Sequence, residues 1–435
     1  MNFHTKKDNL NLTLPFRTGG EKLLQYIWQF QYFNKSELQT TVGEKLQIIF
    51  PGKLNSNQGP DFTNAKIKID NTTLVGSIEL HLKASQWHEH GHSTDANYKN
   101  VILHVVFEND LTQSSVPVLE LQSRISNLLL DRYSALMNAS SFIPCATAVS
   151  EVKEITWLSW KERLLAERLT RKSSIVFKFL EENNAHWEET FWWMLARNFG
   201  MKVNSEAFEA MARTISVTTL AKNKHGIHQL EALLFGQAGL LEEKFTEDYP
   251  KLLQREYLFL KKKYKLRPIH NVVHFLRMRP GNFPTIRLAQ LAALIQNSAH
   301  LFSRILEIEK PVELKKLFEV TANDYWHYHY RFDESSSFKK KTIGKDMIEN
   351  VIINTIVPVL FAYGLYHKVE KYKNKAILWL EELPAEMNAI TKGFTGLHLS
   401  NKSAFDSQSF IELKTQYCDR RHCLQCAIGN ALLKT

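Results

Sequence analysis

Cysteine is scarce in this chain: Cys145, Cys418, Cys423 and Cys426 are the only four in 435 residues. That excludes a disulfide-stapled secreted scaffold, in which cysteines are dense. There is no internal repeat and no low-complexity tract, so neither a solenoid nor a long disordered tail is expected. The opening residues, MNFHTKKDNLNLTLPFR, contain no apolar core of a secretory signal. The most apolar stretch, Val351 to Tyr366, is broken by Asn354, Thr355 and Pro358 and reads as too short to span a bilayer. These absences lead us to expect a cytoplasmic protein with reduced thiols and no membrane partner.

What is present suits a globular protein: 44% hydrophobic and 23% charged residues. The length exceeds one ordinary core, so two or three domains are expected. Lys and Arg number 55 against 45 Asp and Glu, a net +10. That balance favours anionic partners, of which nucleic acid is the commonest large one.

Periodicity changes once along the chain. EKLLQYIWQFQYF (21–33) has apolar residues at helical spacing. LQIIF (46–50), AKIKI (65–69), TLVGSIELHLK (73–83), VILHVVF (101–107) and VPVLELQ (116–122) then read as strands. VILHVVF is a continuous apolar run, the pattern of a central strand covered on both faces. From Val152 onward the apolar stripes are helical nearly to the end. We expect an N-terminal α/β domain with a central mixed sheet over 1–140, and a large all-α region over 141–435.

The chemistry concentrates between Gly59 and His104. Asp61 follows Gly-Pro at the mouth of a strand, and Glu79 lies in SIELHLK. Alternation along that strand sends Ile78, Leu80 and Leu82 to one face and Glu79, His81 and Lys83 to the other. Two carboxylates from neighbouring strands can hold Mg²⁺ or Mn²⁺, and a basic group beside them can prepare water for attack on a phosphodiester. The competing reading is the solvated face of an amphipathic strand. In the polar stretch HEHGHSTDANYKN, His90 and His92 form an H-x-H pair with Asp95 nearby, which could bind Zn²⁺ or Mn²⁺. An ordinary polar loop fits the same residues, and His104, inside VILHVVF, reads as a satisfied core histidine.

Helix, strand with Pro-Asp, then strand with an acidic residue resembles the PD-(D/E)xK nuclease superfamily. The resemblance implies a restriction-endonuclease-like fold, Asp61 and Glu79 as ligands of Mg²⁺ or Mn²⁺, and His81 where that superfamily has lysine, with Lys83 two residues on. Glu21 would suit the extra acidic residue some members carry in the preceding helix. HLKASQWHEH (81–90) is also similar to the very-short-patch repair endonucleases, in which a histidine serves the leaving group or the water. That likeness makes His88 or His90 a candidate beside His81. Three functions follow: a metal-dependent nuclease, a nuclease-like binding module without chemistry, and a zinc-type hydrolase built on His90, His92 and a carboxylate.

Cys418, Cys423 and Cys426 fall within nine residues near the C-terminus. Thiolates so close chelate Zn²⁺ or an iron–sulfur (4Fe–4S) cluster, with Cys145 or His422 as fourth ligand. Buried apolar cysteines at a helix start are the bland alternative. Some nucleases of the superfamily named above resemble this layout, one distant cysteine and three near the C-terminus around a 4Fe–4S cluster. In the helical region Arg277, Arg279 and Arg287 surround a Pro-Gly-Asn-Phe-Pro loop that leads into a helix, a candidate phosphate and nucleic-acid contact. The lysine runs 261–265 and 339–341 read as solvated faces. With NQGPDF, ELHLKASQW and CDRRHCLQCAIGN taken together, the chain resembles, nearly end to end, an uncharacterised bacterial family known only as a domain of unknown function.

Overall fold

The computed structural model describes residues 14–269, 273–276, 278–298 and 300–434. The protein is mixed α+β and divides into two compact units. The first comprises Met1–Trp160, Gly396–His398 and Glu412–Thr435; the second comprises Lys161–Thr395 and Leu399–Ile411.

The first unit begins with helix α1 (Leu14–Phe30), kinked at Gly20, where φ is 53°. Strands β1 (Leu46–Phe50), β2 (Lys53–Leu54), β3 (Phe62–Ile69), β4 (Thr72–Lys83), β5 (Val101–Glu108) and β6 (Val118–Glu120) follow. They form one mixed sheet in the order β1-β3-β4-β5-β6, with β2 paired to β3. Pairs up to β3–β4 are antiparallel; β4–β5 and β5–β6 are parallel. Apolar residues of α1 (Leu23, Leu24, Ile27, Trp28) share a core with Ile78 and Leu80 of β4 and Leu103, Val105 and Phe107 of β5. The continuous apolar run of β5 is thus explained, since it lies between two parallel partners with both faces covered. At Gly76 a Cβ would lie 2.5 Å from the Asn100 carbonyl oxygen and 2.6 Å from Ile102 Cγ2, so only glycine lets the start of β5 approach β4 so closely.

The expected domain boundary after residue 140 falls inside this unit, which runs on to Trp160 and also takes in the C-terminal cysteine segment. Arg421 donates to the carbonyls of Leu136 (3.0 Å) and Ala139 (2.6 Å) at the end of helix α3 (Asn127–Asn138). The Tyr26 hydroxyl of α1 donates to Asn430 Oδ1 at 2.6 Å.

The second unit is helical, with a core dominated by Pro284–Asn297, whose residues are buried from Pro284 to Ile295. The all-helical expectation misses a two-stranded hairpin, His329–Arg331 with Glu334–Ser335. Its sequence, His-Tyr-Arg-Phe-Asp-Glu-Ser, alternates too briefly to register as strand. The apolar stretch near Pro358 also differs from expectation. It forms a helix over Lys345–His367, long and apolar enough by composition to cross a membrane, with 72% of its most apolar window buried inside the protein. Pro358 is accommodated because Ile352–Ile356 takes a wider π turn just before it.

Candidate metal and phosphodiester site

The antiparallel register of β3 and β4 ends at Phe62 opposite Ile78. One step further, Asp61 meets Glu79. The Asp61 N–H donates to Glu79 Oε2 at 3.1 Å, and the Leu80 N–H donates to Asp61 Oδ2 at 3.1 Å. A bulge opposite Ser77, with Asn64 at φ 57°, bends β3 next to this point, as bulges beside functional groups do. From α1, Gln25 Nε2 donates to Asp61 Oδ1 at 2.7 Å. Glu21, one helical turn earlier, is close enough for its charge to raise both carboxyls.

The face of β4 that carries Glu79 and His81 is not solvated. Glu79 is 6% and His81 1% exposed. The crossover from β4 to β5 covers it, with Trp87 of the single turn α2 (Gln86–Glu89) packed on His92 and His104. Four imidazoles meet there. His81 Nδ1 lies 2.8 Å from His104 Nε2, and His81 Nε2 lies 3.1 Å from His90 Nδ1. Glu79 Oε1 lies 3.6 Å from His81 Nε2 and 3.4 Å from His92 Nε2. Ligand nitrogens of His81, His90 and His92 all lie within 4.8 Å of one another. Tyr98 stacks on His92 with ring centroids 3.7 Å apart.

The electrostatics follow from burial. The Glu79 carboxyl is pushed up to about 8, first by desolvation and then by Asp61. Asp61 is raised to about 6 by desolvation, with Glu21 adding to it. His81 is held down to about 3 by desolvation and then by the other three imidazoles, and His104 to about 4. Among the described residues no lysine or arginine pairs with Asp61 or Glu79; their charged neighbours are histidines and Glu21. His92 Nε2 is buried and makes no hydrogen bond. A buried and a half-buried carboxylate without a lysine or arginine partner, beside an imidazole nitrogen without a hydrogen bond, suit a divalent metal ion.

The remaining candidates are distributed as follows. Lys83 shares the face of His81 but acts on Asp110, whose carboxyl it helps lower. His88 is exposed and paired with Ser93 Oγ at 3.3 Å, outside the histidine trio. Asp95 accepts from the Asn97 N–H as a turn cap, and its charge still reaches His92, while Glu79 Oε1 lies 3.4 Å from His92 Nε2. His104 is satisfied, as expected of a core histidine, but its partner is His81. Sequence reading missed Gln25, Tyr98 and the His81–His104 pair. Gln25 carried one signal, its place one helical turn after Glu21.

In the same unit Cys145, Cys418, Cys423 and Cys426 line one small cavity with Leu136, Pro144 and Tyr417. All four are free thiols. Burial pushes Cys145 up to about 12 and Cys423 to about 11, with neighbouring cysteines adding to each. Burial pushes Cys426 up as well, offset in part by the N–H groups of Gly429, Ile428 and Trp160. A Cβ at Gly429 would lie 2.3 Å from the Cys423 carbonyl oxygen, so glycine is required for helix Ala427–Lys434 to pack on this turn. His422 also lines the cavity.

In the second unit Arg279 and Arg287 line a common cleft; Arg277 lies outside the described residues. The aromatic segment 324–332 is largely core, with Trp326 fully buried.

The family model described as "Protein of unknown function (DUF2851)" matches residues 21–389. Neither a curated protein nor a solved structure matches the chain.

Proposed function

We propose, from the premise that the chain belongs to the DUF2851 family of proteins of unknown function, that it is a metal-dependent nuclease. The observation that carries this reading is the placing of half-buried Asp61 beside buried Glu79, whose Oε2 accepts the Asp61 backbone N–H at 3.1 Å, with no lysine or arginine paired to either among the described residues. Asp61 and Glu79 would hold Mg²⁺ or Mn²⁺, and the bound ion would supply Lewis-acid stabilisation of the charge that develops on phosphate. His81 takes the place of the superfamily's lysine. Held neutral between His104 and His90, it is too weak a base to keep a proton and is suited to position the attacking water. His90, exposed at the outer end of the imidazole chain, links His81 to solvent.

A second reading has its own support. His81, His90 and His92 with Glu79 make three imidazoles and a carboxylate, a set that suits Zn²⁺ better than Mg²⁺. Cleavage of labelled single- and double-stranded DNA and RNA with Mg²⁺, Mn²⁺ or Zn²⁺ separates the two. Cutting lost in Asp61→Ala and kept in His92→Ala supports the carboxylate site. The reverse pattern supports the zinc-type hydrolase. Binding without cutting under every metal would leave a nuclease-like binding module.

We also propose that the four cysteines hold a structural metal centre. A single Zn²⁺, about 2.3 Å from each sulfur, would draw the thiolates to within ~4 Å of one another. The four thiols line one small cavity, and one distant plus three clustered cysteines suit a 4Fe–4S cluster as well as Zn²⁺. The cluster reading makes the more distinctive prediction. Anaerobically purified protein should be brown and contain iron and acid-labile sulfide, both lost in Cys423→Ser. Stoichiometric zinc without sulfide would select zinc instead.

A further inference from the structure

The second unit contains an open cleft of about 1290 Å³ that the proposed chemistry does not use. Six cations line it: Lys172, Arg197, Lys202, Arg279, Arg287 and Lys339. The one carboxylate in the lining is Asp346. These cations come from four helices, Glu154–Glu182, Trp187–Phe199, Met201–Arg213 and Pro284–Asn297, and from the segments around Arg279 and Lys339. The cleft is therefore built by the fold rather than by one basic run.

Arg287 is the informative member. It is 7% exposed, yet no carboxylate pairs with it among the described residues. Its guanidinium donates to the neutral oxygens of Gln290 (2.9 Å) and Asn282 (2.6 Å), and its Nε is buried without a partner. Burial lowers it to about 10, which leaves it charged at neutral pH. A buried charge held only by amide oxygens costs stability unless an anion completes it. Asn198, also in the lining, has a buried amide oxygen without a partner. Arg197 is already paired with Glu209 and Lys172 with Asn354, whereas Lys202, Arg279 and Lys339 stand at the exposed rim.

The shape bears on the class of ligand. The volume exceeds the roughly 300–1,000 Å³ usual for small-molecule sites. Tyr330 lines the same cleft, with the Lys341 ammonium over its ring at 3.7 Å from the centroid, a further positive charge beside the lining.

We propose that this cleft binds the phosphodiester backbone of a nucleic-acid strand, with Arg287 as its buried anchor and Lys202, Arg279 and Lys339 as rim contacts. The site is independent of the carboxylate–histidine site and would serve a protein that cuts nothing.

The test uses the full chain in EDTA, so that no metal-dependent cutting intervenes. Fluorescence anisotropy measures binding of labelled single-stranded DNA and RNA oligonucleotides across a salt series. Lys202→Glu, Arg279→Glu and Lys339→Glu combined should weaken binding at least roughly tenfold and flatten the salt dependence by about one slope unit per lost contact. These side chains are exposed, so circular dichroism should match wild type. Arg287→Met should lose affinity comparably without losing thermal stability, because it removes a buried unpaired charge. Cleavage by Asp61→Ala, assayed separately with Mn²⁺, reports on the nuclease reading alone, so failure of this site and failure of that reading are distinguishable. A folded triple variant with wild-type affinity would overturn the proposal. So would displacement of the oligonucleotide by ATP or inorganic phosphate at equal phosphate concentration, which would assign the cleft to a free phosphate ligand.

Discussion

Glu231 offers a quantitative check on the packing of the second unit. It is fully buried on helix Ile227–Gln237, and its Oε2 accepts from the Tyr249 hydroxyl at 2.5 Å and the Trp326 indole N–H at 3.1 Å. Its Oε1 has no partner. Desolvation outweighs the two donors and raises the carboxyl from 4.5 to about 7. A folded-state value above the unfolded one means that the native protein binds the extra proton between those limits. The stabilisation is therefore complete below about 4.5 and is lost as pH rises through about 7. At about 1.4 kcal/mol per pH unit, the full loss amounts to about 3 kcal/mol. Glu231→Gln mimics the neutral form and keeps an oxygen for Tyr249 and Trp326. Urea unfolding followed by tryptophan fluorescence at pH 5 and pH 8 should show this difference in wild type and a much smaller one in the variant. Equal pH dependence in the two proteins would refute the assignment of Glu231 as a carboxyl held neutral by burial.

Two further predictions concern the first unit. In EDTA, Asp61→Asn should raise the melting temperature, since it removes one of two crowded buried carboxyls. Added Mn²⁺ should then stabilise wild type but not the variant, by the linkage between binding and folding; a wild-type melting temperature indifferent to Mn²⁺ would count against the carboxylate site. His104→Phe should preserve the fold but leave His81 without its orienting partner. If the nuclease reading holds, cleavage should fall roughly ten- to hundredfold with a displaced pH profile, a response expected of a positioning residue; an unchanged profile would make His104 packing alone.

Much of the sheet was legible because its strands carry β-branched alternation between turn residues, and the pairing of Asp61 with Glu79 could be anticipated from a Pro-Asp strand followed by a strand bearing Glu. The histidine network was only half legible. His81, His90 and His92 drew notice as a strand residue and an H-x-H pair. His104 read only as a satisfied core histidine, because its contact with His81 depends on the parallel register that sets Glu79 opposite His104. A parallel neighbour arrives through a crossover, and no local spacing encodes it. Lys83 shows the opposite failure. It shares a face with His81 but stands two residues, about 7 Å, further along the strand, where Asp110 takes its charge. The return of residues 412–434 to the first unit was foreshadowed by the cysteines alone, since helical periodicity does not reveal which core a helix joins.

The choice between the carboxylate and imidazole readings turns on the protons of the histidine chain. Without a metal on the imidazoles, one proton occupies each short gap, His104 to His81 and His81 to His90. Two orders are allowed, since either ring can donate in each gap. A metal bound by His81 Nε2 permits one order only. His81 must then donate from Nδ1 to His104 Nε2, and the His90 Nδ1 contact must give up its proton. An ion held by Asp61 and Glu79 demands no such change, and leaves the chain free to carry a proton from the buried His81 to the exposed His90. The buried His104 is thus compatible with both readings but does different work in each. It fixes a ligand's tautomer in one and terminates a proton chain in the other. Because Glu79 touches both His81 and His92, it belongs to either site. Asp61, whose carboxylate accepts from Gln25 and Leu80 and whose N–H donates to Glu79, belongs to the carboxylate site alone, which is why substitution there, rather than at Glu79, separates the two.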